Sequence, residues 1–338
     1  MKSRLKKTLP MNNRGVALLL AVTVVSLLVA VTVQFNRDMR HELTSSANLL
    51  ASSRLLAMVK SGYNFGVAVL ELDDAENDYD SYHDAWARLQ GDNMPSLYGS
   101  GRVDVAVTDL SGRLQVNSLV DVRAGQQQDG NAQKNRDILR RLLLYDSIGE
   151  RSEEEAELII SAIVDWIDAD DKESGIEETE SSFYQNLEPA YTCRNGPLAF
   201  IEELLLIRGI TADLYYGTEA SAGLRDVLTV HGDDGKININ TAPPAIIRAM
   251  SPELNEELVE ELLFFRQEED NKDLLQSPDW YANILPGDIV FDGDTIGTSS
   301  RYFEVVAAAE YIGIEKSLRA VVRREQGKQP EMISRKVE

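Results

Sequence analysis

Residues 1–35 read MKSRLKKTLPMNNRG (1–15) and then VALLLAVTVVSLLVAVTVQF (16–35). The first fifteen residues carry five basic side chains and no acidic one, and the uncharged run that follows continues to Asn36. As a helix, about 20 residues span about 30 Å, the hydrocarbon thickness of a bilayer. Lys and Arg on the N-terminal flank place that end in the cytoplasm, so the remaining chain is expected on the far side of the membrane. A secretory signal is cut after its apolar stretch, at a small-residue site. Here Gly15 precedes the stretch, directly after Arg14.

That layout resembles the leader of the type IV pilin and pseudopilin superfamily. The resemblance implies removal of residues 1–15 by a prepilin peptidase between Gly15 and Val16, with methylation of the new N-terminus. Most pilin-like proteins carry Glu at the fifth mature position, where it is held to neutralise the ammonium of a neighbouring subunit. The fifth residue here is Leu20. Charge in an apolar filament core is costly unless paired, so a subunit with no neighbour ahead of it has no use for that glutamate. Leu20 therefore points to a filament tip.

Beyond the membrane, no proline occurs from Met11 to Met94. Met39, Leu43, Ala47 and Leu50, then Leu55, Val59, Gly62, Gly66 and Val69, follow helical steps. One helix of about 50 residues is expected, with a bend allowed at Gly62 and Gly66 because glycine weakens a helix. The acidic stretch DDAENDYD (73–80) would end it. RVDVAVTDL (102–110) alternates as a half-buried strand, RLQVN (113–117) is a second strand, and residues 301–325 read as a hairpin across Gly313-Ile314. Between them, RLQVN with two following helices is echoed by KININ (236–240) with two more. Ser251-Pro252-Glu253 reads as the N-cap of the last helix, and 118–136 as an exposed loop.

Composition narrows the function. The chain has 338 residues and a formal net charge of −22; without residues 1–15, which carry +5, it would be −27. Such a surface repels phosphate backbones, so no nucleic-acid partner is expected. The NTAPP-helix-turn-helix unit could pass for a DNA-binding hairpin, yet its second helix is crowded with Glu253, Glu256, Glu257, Glu260 and Glu261. A single cysteine, Cys193, makes no internal disulfide, and His41, His83 and His231 are scattered. Paired carboxylates alone do not make a glycosidase, and no GxSxG nucleophile motif occurs. The chain is read as a non-enzyme.

DLSGRLQVNSL (109–119), IVDWIDADD (163–171) with Tyr184, Tyr191 and NGPLAFIEELLLIRGI (195–210), GKININTAPPAIIRAM (235–250) and SSRYFEV (299–305) together resemble the K-type minor pseudopilin of bacterial type II secretion systems. The resemblance implies an α+β fold: a long N-terminal transmembrane and spine helix, and a pseudopilin antiparallel sheet interrupted by a large all-helical inserted domain. The expected division is a leader (1–15), a transmembrane helix (16–36), spine and first strands (37–117), an inserted domain of two related helical units (118–290), C-terminal strands (291–325) and a flexible tail (326–338). It also implies a place at the pseudopilus tip, on the periplasmic side of the inner membrane, initiating or capping assembly for protein export. The implied partners are the I-type and J-type minor pseudopilins, the shaft subunits, the prepilin peptidase and the inner-membrane secretion platform. A minor pilin of a type IV pilus and a membrane-anchored periplasmic hydrolase are the alternatives.

DWIDADDKESGIEETE (165–180) holds eight carboxylates in sixteen residues. Calcium takes six to eight oxygen ligands on flexible loops, and calcium in this domain is also what the resemblance implies. The candidate ligands are Asp168, Asp170, Asp171, Glu177 and Glu180. An EF-hand is excluded, since counting Asp168 as position 1 puts Lys172 at position 5 and Glu173 at position 6. Asp288, Asp292 and Asp294 form a second acidic cluster, read as a turn.

Overall fold

The computed structural model describes residues 13–76, 78–89, 93–95, 101–120, 131–169 and 181–338. Helix α1 (Asn13–Glu76) runs for 64 residues without interruption. Its outer half is exposed, and burial begins at Ala51, continuing through Leu55, Met58, Val59 and Leu70. These positions share the face that carries Gly62 and Gly66. A Cβ on Gly62 would stand 2.9 Å from Val103 Cγ1, and one on Gly66 would stand 2.8 Å from Val305 Cγ1. The glycines therefore let the helix lie flush on the sheet, and they do not break it. What they cost in helix propensity is offset by close packing.

The sheet holds β1 (Asn93–Pro95), β2 (Arg102–Asp109), β7 (Tyr302–Tyr311), β8 (Ile314–Arg323) and β9 (Glu331–Val337), all antiparallel, in the order β1-β2-β7-β8-β9. Alternation decides its buried face. Val105 pairs Ala307, which pairs Leu318, and Val107 pairs Val305, which pairs Ala320. All six are buried in one core with Leu55, Met58 and Val59 of α1.

β2 and β7 are neighbours in space, yet a second body separates them in sequence. It contains β3 (Leu114–Gln115), α2 (Asn131–Leu144), α3 (Glu153–Ile167), α4 (Ser181–Gln185), α5 (Ala212–Tyr216), α6 (Leu224–Val227), β4 (Leu228–Thr229), β5 (Ile237–Asn238), α7 (Pro244–Met250), α8 (Glu256–Phe265) and β6 (Ile296–Gly297). Its apolar core, which includes Leu139, Ile163, Ile246 and Leu262, shares no residue with the core under the sheet. This body is not all-helical: β3 pairs β4 and β5 pairs β6, each in parallel. The last of these strands lies beyond residue 290, so the body reaches further than its sequence pattern suggested.

Four other expectations give way. Residues 326–338 are not a free tail: β9 pairs with β8, and the amide and carbonyl of Glu338 both bond Ser317. Its side chains are mostly exposed, so backbone pairing on an open edge holds a strand that composition does not announce. The hairpin turns on Ile312-Gly313, one residue earlier than read, with φ of 47° and 72°. Residues 131–136 belong to α2, where Asn135 is buried with its amide on Ser118 Oγ at 2.8 Å. Asn255, not Ser251, caps α8, accepting from Leu258 N at 2.9 Å. Ser251 closes α7 and hydrogen-bonds Glu253.

Candidate functional site

Two regions stand out: the exposed N-terminal end of α1 and the joint between the two cores. At the free end, Gly15, Val16 and Leu20 lie on the exposed helix, and a Cβ on Gly15 would meet no atom within 4 Å. Among the described residues, this is the helix long and apolar enough to cross a bilayer. Its hydroxyls turn inward: Thr23 donates to Leu20 O at 2.9 Å and Thr32 to Leu28 O at 2.7 Å. Such self-satisfaction is what a hydrocarbon environment demands of polar groups.

The joint begins where α1 ends. The Asp80 amide donates to Thr298 O at 2.8 Å, and its carbonyl accepts from Asn238 Nδ2 at 3.2 Å and Asn240 Nδ2 at 3.1 Å. One oxygen of its carboxylate takes the Ser300 amide at 2.6 Å, and the other takes Arg324. Arg324, just past β8, also reaches Asp73 at 3.0 Å and Ser300 O at 3.1 Å. Asp109, at the end of β2, accepts from Ser111 N at 2.7 Å and from the hydroxyls of Ser300 and Thr241. Asn240 continues the network into the helical core, accepting from Trp280 Nε1 at 2.8 Å and donating to Leu275 O at 3.0 Å.

Burial governs the charge here. Desolvation pushes the Asp80 carboxyl up to about 7; Arg324 opposes that shift and the neighbouring Asp109 adds to it. Asp84 is raised to about 6, again chiefly by burial, and Asp109 is raised for the same reason. Oxygens of Asp73, Asp80 and Asp84 lie within 4.8 Å of one another, a spacing that could hold a cation. Arg324 already bonds two of the three, so the protein supplies its own counter-charge.

A parallel set of contacts seats the helical body on the segment after α1. Tyr79 donates to Lys272 O at 3.1 Å, Tyr82 to Thr241 O at 2.8 Å, and the His83 ring lies 3.0 Å from Arg266 O. Arg266 is buried and donates to Ile239 O at 3.0 Å and Ala242 O at 2.8 Å, and burial lowers its guanidinium to about 10. The body therefore crowns the end of α1 remote from the apolar segment.

Of the candidate calcium ligands, Asp168 is the C-cap of α3, its amide on Val164 O at 2.9 Å. Asp170, Asp171, Glu177 and Glu180 lie outside the described residues. Trp166, near the start of the acidic stretch, meets Tyr184, beyond its end, edge-on at 5.1 Å between ring centroids. In the second acidic cluster, Lys134 sits 2.7 Å from Asp294 and 2.8 Å from Asp292, so an ammonium fills that turn.

Residues 112–219 match a family model described as type II secretion system (T2SS), protein K. The type II secretion system protein K of Pseudomonas aeruginosa is 27% identical over 244 residues, covering 70% of this chain and 68% of that protein. The protein K of Aeromonas hydrophila is 27% identical, covering 68% and 67% respectively. Over about two thirds of its length the chain is thus similar to type II secretion system proteins K. Its fold also matches a chain in the crystal structure of the GspK-GspI-GspJ complex from the enterotoxigenic Escherichia coli type 2 secretion system. That match has a TM-score of 0.64 at 18% identity and covers 87% of this chain and 99% of that one.

Within this chain, the segments DLSG, NINTA and SSRYF, distant in sequence, meet at the joint through Asp109, Asn238, Asn240, Thr241 and Ser300. A Cβ on Gly112 would lie 2.7 Å from Thr241 Oγ1, so the DLSG turn has to be bare. Sequence reading found these segments but assigned no role to their polar residues, and it took Asp80 only as part of a helix stop. Polar residues between apolar neighbours, as in Ile237-Asn238-Ile239-Asn240, were the available signal. Their partners include Asp80, about 160 residues away, as well as Leu275 and Ser300 further along the chain, which periodicity does not reveal.

Proposed function

We propose that this minor pseudopilin of type II secretion stands at the tip of the pseudopilus, where it initiates or caps assembly. The observation that carries the reading is the helical body crowning the far end of α1, through Tyr79, Tyr82 and His83. A subunit so crowned leaves no room for another stacked above it, and Leu20 removes the glutamate such a neighbour would require. Residues 16–36 hold the precursor in the inner membrane as a single pass, with its basic end in the cytoplasm and its body in the periplasm. The prepilin peptidase cuts between Gly15 and Val16, and α1 then packs among the shaft subunits above the inner-membrane platform. The solved relative is named in a complex with GspI and GspJ; by the same chemistry the I-type and J-type minor pseudopilins are assigned as partners here. The role is structural, without a catalytic step.

Intact-mass analysis of the membrane-extracted protein tests the processing. A chain beginning at Val16, with a methyl group on its amine, is expected, and retention of residues 1–15 would defeat the reading. Co-purification with the I-type and J-type pseudopilins of the same cell tests the assembly. Recovery with type IV pilus subunits instead would transfer the protein to that system.

Calcium is proposed as a structural ion in the 165–180 stretch. The contact between Trp166 and Tyr184 supports this reading, since it brings together residues on either side of a run of carboxylates whose repulsion a divalent cation would relieve. Asp168 would contribute from the end of α3, with Asp170, Asp171, Glu177 and Glu180 as the remaining candidates.

A further inference from the structure

An open groove of about 760 Å³ lies on the helical body between α7, α8 and the turn after α2. Its floor is apolar, formed by Pro244, Val259 and Leu263. One wall is the first two turns of α8, where Glu256, Glu257 and Glu260 are exposed. None of the three makes an ion pair among the described residues, although arginines stand close by. Arg248, on the opposite wall, lies flat over Tyr145, 4.1 Å from the ring centroid, with a hydrogen bond of 3.1 Å to the phenol oxygen. Arg141 turns away to the carbonyls of Ala249 and Met250 at the end of α7. The two arginines are engaged by a ring and by backbone rather than by these carboxylates, so the glutamate wall stands without an ion pair beside an apolar floor.

We propose that this groove docks a cationic, amphipathic segment of a protein partner, with Lys or Arg on the glutamate wall and an aliphatic side chain on the Pro244–Val259–Leu263 floor. Charge complementarity selects the occupant: an acidic segment would be repelled, and a purely apolar one would leave three carboxylates facing it without counter-charge. The volume suits several side chains and exceeds what a lone ion needs. α8 runs from this groove at its N-terminal end to Arg266 and the joint at its other end. The residues that line the groove are not those that bond Tyr79, Tyr82 and His83, so it stays open while those contacts are made. This inference does not depend on the tip assignment.

The full chain in non-ionic detergent is titrated into a fluorescein-labelled peptide of alternating Lys and Leu, with the alternating Glu and Leu peptide as reference, and anisotropy is read. The Lys peptide is expected to bind and the Glu peptide not. The double reversal Glu256→Lys/Glu260→Lys is expected to weaken binding by about tenfold. Glu153→Lys/Glu154→Lys, an equal reversal in the exposed first turn of α3, controls for net charge and helix dipole and should change affinity by less than about twofold. Glu260→Gln and Leu263→Ser provide milder variants, each expected to lower affinity measurably, with an unchanged melting curve showing that the fold is intact. Equal losses in the two double variants would reduce the binding to overall charge and overturn the proposal. So would affinity insensitive to both Glu260→Gln and Leu263→Ser.

Discussion

Ile312 sits in the β7–β8 turn at a φ of 47°, a conformation that a β-branched residue reaches only with strain. Two-residue hairpin turns with both φ positive favour Asn-Gly, and Ile312 is 65% exposed, so its side chain gives little back. Ile312→Asn should therefore raise stability by about 1 kcal/mol, read as a shift of the denaturation midpoint in detergent. Arg324 presents the opposite case. It neutralises Asp73 and Asp80 in a buried site, and removing one partner of such a set leaves the others desolvated and unpaired. Arg324→Met should cost about 3–5 kcal/mol. Asp80 sets the pH behaviour. Its folded pKa of about 7 lies above the ordinary value of 3.8, so between those values the folded state binds more protons than the unfolded chain. Its contribution to stability is then greatest below that window and is lost as pH rises through about 7. Asp80→Asn should flatten this part of the stability profile, and an unchanged slope would remove Asp80 from the explanation.

At the scale of elements, α1 was legible because 3.6-residue periodicity and the absence of proline are local properties. So was the alternation of β2. The purpose of Gly62 and Gly66 was not, because it lies in the Val103 and Val305 methyl groups of strands far away in sequence. Gly66→Val should overpack this contact and destabilise the protein by about 1–3 kcal/mol, whereas propensity alone would favour leaving glycine. Thermal denaturation decides between the two signs. β9 escaped sequence reading for a related reason: exposed strands have no buried face to impose alternation, and the pairing of Glu331–Val337 with β8 is made by backbone.

For the whole molecule, the calcium proposal predicts a bulk effect. An ion bound to the folded protein at residues 165–180 stabilises by mass action, so removing calcium with a chelator should lower the melting temperature, and adding calcium back should restore it. Asp168→Asn should reduce the calcium-dependent part of that shift, and an equal melting temperature with and without chelator would end the claim. The sequence by itself determined the long apolar segment with its basic flank, the helix that continues it, the strand at 102–110 and the density of carboxylates, since charge, length and periodicity are carried by neighbouring residues. It also supplied the family resemblance, through segments whose physical role it left blank. Only the tertiary structure decided that those segments meet around Asp80, Asp109 and Arg324. Only it showed that a lysine fills the Asp292 turn, and that the last strand closes on the sheet. Each of these rests on polar or backbone partners far apart along the chain, where hydrogen bonding and desolvation are settled by position in space.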